Sequence, residues 1–111
     1  MTPVYRLWPQ PSVLDLDDAA LAAHYAWPEM GAVPYVRVNF VSSLDGAVTV
    51  DGRSGGLGNA ADKKVFHLLR ELAEVVLVGA GTVRAEKYNG VQRPTRGRDT
   101  PPPVAVVTGT A

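Results

Sequence analysis

Two apolar runs leave a chain of this kind few architectures. EVVLVGAGT (residues 74–82) is a continuous apolar segment that ends in glycine, and PVAVV (103–107) is another. Valine-rich runs without alternation suit strands buried on both faces of a parallel sheet. Parallel neighbours need a crossover, usually a helix, and TVRAEKY, which lies between the runs, can form a short one. Upstream, Asn59 is a good helix cap with Asp62 three residues later. Ala61, Val65, Leu68, Leu69 and Leu72 then make the apolar stripe of an amphipathic helix lying on a sheet. YVRVNFV (35–41) alternates, with Val36, Val38 and Phe40 on one face and Tyr35, Arg37 and Asn39 on the other, and predicts a strand. AVTV (47–50) predicts a second, short strand. The order strand, hairpin strand, helix, strand, short helix, strand is that of an α/β fold.

Residues 1–13 carry three prolines and read as an irregular arm. Asp15 can cap a short helix, with Asp17 and Asp18 in the first turn where the helix dipole favours negative charge. Trp27-Pro28 is expected to end that helix. The chain thus divides into an arm with a short helix (1–33) and an α/β region (34–111). Helices this amphipathic and strands this apolar ask for more partners than 111 residues supply, so residues 34–111 are expected to be the first half of a larger domain, truncated just past a buried strand.

Composition removes several functions. Eleven basic and eleven acidic side chains balance, so no overall field draws the chain to nucleic acid or an anionic membrane. The absence of cysteine excludes a disulfide framework and any thiolate metal site. No apolar run approaches the roughly 20 residues needed to span a bilayer, and the start MTPVYRLWPQP lacks the apolar core of a signal peptide. A cytoplasmic protein with no metal is expected. The basic loop QRPTRGRDTPPP (92–103) has no interleaved aromatics and reads as a soluble loop rather than a nucleic-acid contact.

Two stretches bare enough backbone to hold a flat ligand. In VGAGT (78–82), a strand runs into Gly79-Ala80-Gly81-Thr82 and then a helix, either a tight turn that needs small residues or an anion seat made from free N–H groups. It is neither the Rossmann fingerprint, whose third glycine position is Arg84, nor a Walker A loop, since no G-K-[ST] follows. In VNFVSSLDGAVTVDGRSGGLG (38–58), Asp45-Gly46 and Asp51-Gly52 suit turns. Gly55, Gly56 and Gly58 are not needed for a turn and add entropic cost, and a bare wall for a ligand accounts for them better. By position alone, Arg70 lies beyond the apolar stripe of its helix and could pair with Glu74 one turn on, and Arg93 could be a solubilising charge.

PYVRVNFVSSLDG, the amphipathic helix ending HLLR, and VVLVGAGTVRAE occur in one order and spacing that resembles the reductase domain of the bifunctional riboflavin-biosynthesis deaminase–reductases, the pyrimidine reductase family. The resemblance runs from about Pro34 to Ala111 and implies a dihydrofolate reductase-like fold, a mixed but largely parallel sheet flanked by helices. It implies NADPH against Val41, Ser42, Gly56, Gly79, Gly81, Thr82 and Glu86, and a ribose-phosphate substrate held by Ser54, Arg70 and Arg93. A guanidinium fork suits phosphate oxygens bidentately, and a hydroxyl adds a neutral donor. The implied reaction is hydride transfer to a ribosylamino-pyrimidine phosphate, and a homodimer is implied with it. No catalytic proton donor can be assigned, and Asp45 suits turn or substrate hydrogen bonding better than proton transfer. Where the family usually has lysine or arginine after S-L-D-G, this chain has Ala47. That departure keeps open a dihydropterin substrate on the same cofactor site. A non-catalytic nucleotide-binding module remains the alternative of another class.

Overall fold

The computed structural model describes residues 3–52, 54–90 and 99–110, with backbone alone at Ser54 and Gly55. The elements are helix α1 (Asp18–His24), a 3-10 turn at Ser54–Leu57, helix α2 (Ala60–Leu72), strand β1 (Val76–Gly79), helix α3 (Ala80–Ala85) and strand β2 (Val104–Val107). β1 and β2 pair in parallel, with Val76 opposite Val104 and Gly79 opposite Val107. Helix α3 belongs to the crossover between them and packs on both strands. The α/β architecture with a parallel sheet is therefore present. The strands are not buried on both faces, however. Val76 and Val78 are half-buried while Leu77 is exposed, as are Val106 and Val107.

Local chemistry explains both longer helices. Asn59 caps α2 by accepting a hydrogen bond from the Asp62 N–H at 2.9 Å, which satisfies one of the orphan donors of the first turn. Helix α1 begins later than the acidic cluster suggested. Its cap is Asp17, whose carboxylate accepts from the Ala20 N–H at 2.8 Å. Asp15 instead accepts from the Val4 N–H at 2.6 Å, and so pins the arm rather than capping the helix. The arm doubles back on itself, with the Leu16 N–H donating to the Val4 carbonyl at 2.8 Å and the Ser12 N–H to the Arg6 carbonyl at 2.8 Å.

α1 and α2 meet across a cleft of about 180 Å³ lined by Leu21, Leu68, His67 and Glu71, with Asp18 and Lys64 at 2.9 Å in an ion pair. Leu21, Leu68 and Ala73, with Pro102 beside β2, are the buried apolar side chains among the described residues. The segment between the helices closes onto the end of α2. The Trp27 indole N–H donates to the Leu72 carbonyl at 2.5 Å, one of the last-turn carbonyls that has no partner inside the helix. The Arg37 guanidinium lies 4.4 Å from the Trp27 ring centroid and donates to the Tyr25 carbonyl at 2.8 Å. Tyr35 completes this cluster edge-on to Trp27 at 5.3 Å.

Two expected strands are not formed. Residues 35–41 have no ladder partner, and Val36, Val38 and Phe40 are between 67% and 82% exposed. In AVTV only Val50 makes an isolated bridge. The alternation of YVRVNFV prepares an apolar face, but a strand also needs a neighbour for its backbone groups. Among the described residues β1 and β2 are occupied with each other. The Cα radius of gyration, 15.3 Å, exceeds the roughly 13 Å of a compact domain this long, as that open face requires.

Replacing Leu21 by alanine is expected to cost about 2–5 kcal/mol, whereas Asn59→Ala is expected to cost about 1 kcal/mol by loss of one cap. Denaturant midpoints of the two variants check the order; equal losses would mean that the α1–α2 contact does not support the fold.

Candidate functional site

The residues expected to contact a cofactor fall into two groups. Gly79, Gly81, Thr82 and Glu86 lie together along the β1–α3 turn and α3. Gly79 occupies the cap position with no side-chain hydrogen bond, and the Glu86 N–H closes the helix on the Thr82 carbonyl at 2.9 Å. Neither glycine is demanded by a left-handed backbone, since Gly79 has φ −75° and Gly81 lies within α3. A Cβ at either would meet nothing within 4 Å. These glycines therefore leave open space over bare peptide, and among the described residues no packing uses it. Helix α3 has only six residues, too short for a strong dipole, so the turn offers approachable backbone more than a charged helix end.

The second group is Val41, Ser42 and Gly56. Val41 is half-buried and Ser42 exposed, at the mouth of a tight loop. There the Ser43 N–H donates to the Ala47 carbonyl at 2.9 Å and the Gly46 N–H to the Ser43 carbonyl at 3.0 Å. Gly46 has φ +87°, a left-handed conformation that closes a three-residue hairpin loop and favours glycine. Gly52, at φ +76°, is also left-handed, and follows Asp51, whose own φ is +51°. Gly56 differs from the glycines of the β1–α3 turn. A Cβ there would stand 3.0 Å from Val50 Cβ, so the space over this glycine is already taken by Val50. The bare wall expected from SGGLG is, at Gly56, a seat for the chain's own side chain.

Asp45 is a turn residue. Its carboxylate accepts from the Ser43 hydroxyl and from the Ala47 N–H at 3.2 Å. Those bonds, the hydroxyl first, hold its carboxyl below the ordinary value of 3.8. The ionised form is the one that is bonded, so its support of the loop is complete above the ordinary value and fades as pH falls through the lowered one.

Arg70 departs most from its expected surroundings. It is 8% exposed, and among the described residues no carboxylate pairs with it; Glu74 does not. One Nη2 N–H donates to the Asn89 carbonyl. Its guanidinium carbon lies 5.1 Å from the Phe66 ring centroid and 4.6 Å from that of Tyr88. Its buried Nε has no hydrogen-bond partner. Phe66, one turn before Arg70 on α2, was legible as an i, i+4 neighbour; Tyr88 had no sequence signal. Ser54 lies in the 3-10 turn, and Arg93 lies outside the described residues. The structure thus brings Arg70 to the chain just beyond Glu86, while the bonds of the 41–47 loop are local to it. Among the described residues no group of three or more His, Asp or Glu could hold a metal, and no helix is long and apolar enough to cross a membrane.

Ser43→Ala is expected to raise the Asp45 carboxyl midpoint towards 3.8, which a carboxyl-detected NMR titration reads; an unchanged midpoint would show that the hydroxyl bond is not the main cause.

Comparison with curated proteins gives no match. The profile described as the RibD C-terminal domain matches residues 34–111, more than two thirds of the chain. That span begins where the arm ends and takes in the 41–47 loop, α2 and the open turn after β1. The chain belongs to the RibD C-terminal domain family, the reductase domain of riboflavin-biosynthesis deaminase–reductases, which has a dihydrofolate reductase-like fold.

Proposed function

We propose that this chain supplies the cofactor-binding part of an NADPH-dependent reductase whose substrate is a ribosylamino-pyrimidine phosphate. The observation that carries the reading is the open space over Gly79 and Gly81 in a member of a reductase family. The residues present fit a dinucleotide at this turn, where none of the described residues occupies the bare peptide. The fit is poorer at Gly56, where Val50 stands in the way. Thr82 on α3 and Glu86 at its C-terminal cap, four residues on, add a hydroxyl and a carboxylate suited to polar groups of the cofactor. When bound, NADPH would supply a hydride from nicotinamide C4 to C1′ of the opened ribosylamino imine, whose nitrogen takes up a proton as the ribityl amine forms and NADP⁺ is left.

The chain's own part is to bind and orient. Arg70 is a desolvated cation without a counterion among the described residues, and in low dielectric such a charge attracts an anion strongly. Together with Ser54 and Arg93, it is the group we assign to the substrate phosphate. The 41–47 loop presents Val41 and Ser42 without contributing an acid, since Asp45 is committed to Ser43 and Ala47. A dihydropterin is the second reading, favoured by Ala47, which puts a methyl group where the family usually carries a cation. The outer edge of β2, unpaired among the described residues and with Val106 and Val107 exposed, supports pairing of two copies, since unpaired edges seek partners.

Gly81→Ala separates function from folding. Within helix α3 and with open space around it, the change is expected to stabilise the protein by up to about 1 kcal/mol. The same methyl group occupies the cofactor's seat and is expected to weaken NADPH binding by about tenfold or more. Thermal unfolding and cofactor titration of the full-length protein read the two effects; unchanged NADPH affinity would overturn the assignment of this turn.

A panel assay that follows NADPH absorbance with the ribosylamino-pyrimidine phosphate and dihydrofolate identifies the substrate. Arg70→Ala or Arg93→Ala is expected to lower kcat/KM for the phosphate substrate by about tenfold or more. Full activity of both variants with dihydrofolate would favour the pterin reading. Cofactor binding with no turnover of either substrate would favour a non-catalytic module.

A further inference from the structure

Phe66 and Tyr88 surround the buried cation in a way that matters for what it can bind. Their rings meet edge to face at 87° with centroids 6.1 Å apart. With Arg70 carbon Cζ 5.1 Å from one centroid and 4.6 Å from the other, the guanidinium sits in the corner between two perpendicular rings. A carboxylate in this position would stabilise the cation by consuming its N–H donors. Ring faces stabilise it through their quadrupoles and accept no full hydrogen bond, so the charge is held without being neutralised. The donor that is used, on Nη2, goes to the carbonyl of Asn89, and the buried Nε is left unpartnered. Asn89 and Gly90 lead directly into the segment that carries Arg93.

We propose that Phe66 and Tyr88 are positioning residues for substrate binding: the corner they form keeps Arg70 desolvated, charged and fixed against the Asn89 carbonyl, so that its remaining donors are preorganised for an anion. This rests on the assignment of Arg70 to the substrate phosphate. The aromatic faces, rather than the polar atoms, carry the effect. Tyr88→Phe preserves the face and is expected to behave as the parent protein, whereas Tyr88→Leu removes it. Phe66→Leu provides the same test from the other wall of the corner.

The experiment uses the full-length protein and two readouts. Arginine-selective ¹H–¹⁵N spectra report exchange of the Arg70 Nε–H with water, assigned by its loss in Arg70→Lys. Steady-state kinetics with NADPH and the ribosylamino-pyrimidine phosphate report KM and kcat. Protection of the Nε–H is expected in the parent and in Tyr88→Phe, and rapid exchange in Tyr88→Leu and Phe66→Leu. In the two leucine variants KM is expected to rise by about tenfold, the size of one lost charge-assisted contact, with kcat within about twofold, as for an interaction made equally in ground and transition states.

An Nε–H that stays protected in both leucine variants would overturn the proposal, as would unchanged KM after protection is lost. Tyr88→Phe as impaired as Tyr88→Leu would overturn it too, by showing that the hydroxyl matters and the ring face does not. Absence of turnover in the parent protein would instead sink the assigned reaction; the exchange measurement and competition by inorganic phosphate for NADPH-loaded protein would then decide the corner's role. Weak phosphate binding lost in the leucine variants would sustain that role, and phosphate binding equal in all variants would overturn it.

Discussion

Helix α2 can bury only one side, and what is ordered around it is attached to that side or to its last turn. Leu68 and Leu21 line the cleft that joins it to α1. The Leu72 carbonyl, left over at the helix end, takes the Trp27 indole and with it the aromatic cluster around Arg37. Arg70, one turn from the end, reaches the Asn89 carbonyl beyond α3. The arm, the extended segment at 35–41 and the chain after α3 are thus tied to a short stretch of one helix. A fully buried backbone carbonyl or guanidinium without a partner costs several times the net gain of a typical bond, which is why these ties occur where the helix leaves groups over.

The site inherits this arrangement. The cofactor half proposed for it is a strand that runs into two glycines with open space around them among the described residues, and the proposed substrate half is a cation in an aromatic corner. The two halves are stabilised differently. The turn owes its shape to the β1–β2 register and to the first turn of α3, and the open space over Gly79 and Gly81 adds nothing to stability. The corner costs the fold a buried charge and an unpartnered Nε, which cation–π contacts of about 0.5–2 kcal/mol each offset in part. Residues held at such a cost are typical of binding sites, where an arriving ligand recovers what the fold gives up. Asp45 shows the contrary case. An exposed carboxylate with two local donors stiffens a loop, and neither burial nor an unmet bond leaves it ready for proton transfer.

Legibility in the sequence followed the range of the interaction. The α2 cap at Asn59, the left-handed glycines after Asp45 and Asp51, and the extended valine-rich run of each strand are set by neighbours a few residues apart, so residue types and spacing sufficed. The parallel pairing itself joins Val76 to Val104 and was legible only through the lack of alternation in both runs and the crossover between them. The acidic cluster at 15–18 shows the limit even there. Three aspartates competed for one cap, and the arm, which no local pattern describes, took Asp15 and left Asp17 for the helix. Gly56 read as a bare wall because a sequence cannot show that Val50 leans on it. Arg70 read as a solvated charge because its burial comes from Tyr88, eighteen residues away and on no shared element.

The sequence by itself determined the cap of α2 at Asn59, the two valine-rich strand segments, the turn glycines and, through three ordered motifs, the reductase family. These depend on backbone dihedrals and on side chains within one or two turns, which the order of residues specifies directly. Tertiary structure alone decided which aspartate is a cap and, among the described residues, which glycines stay open, that the alternating segment 35–41 has no strand beside it, and that Arg70 is buried without a counterion. Each of those depends on which distant surface arrives at a given point, and that is set by how α2 shares its single apolar side among the segments packed against it.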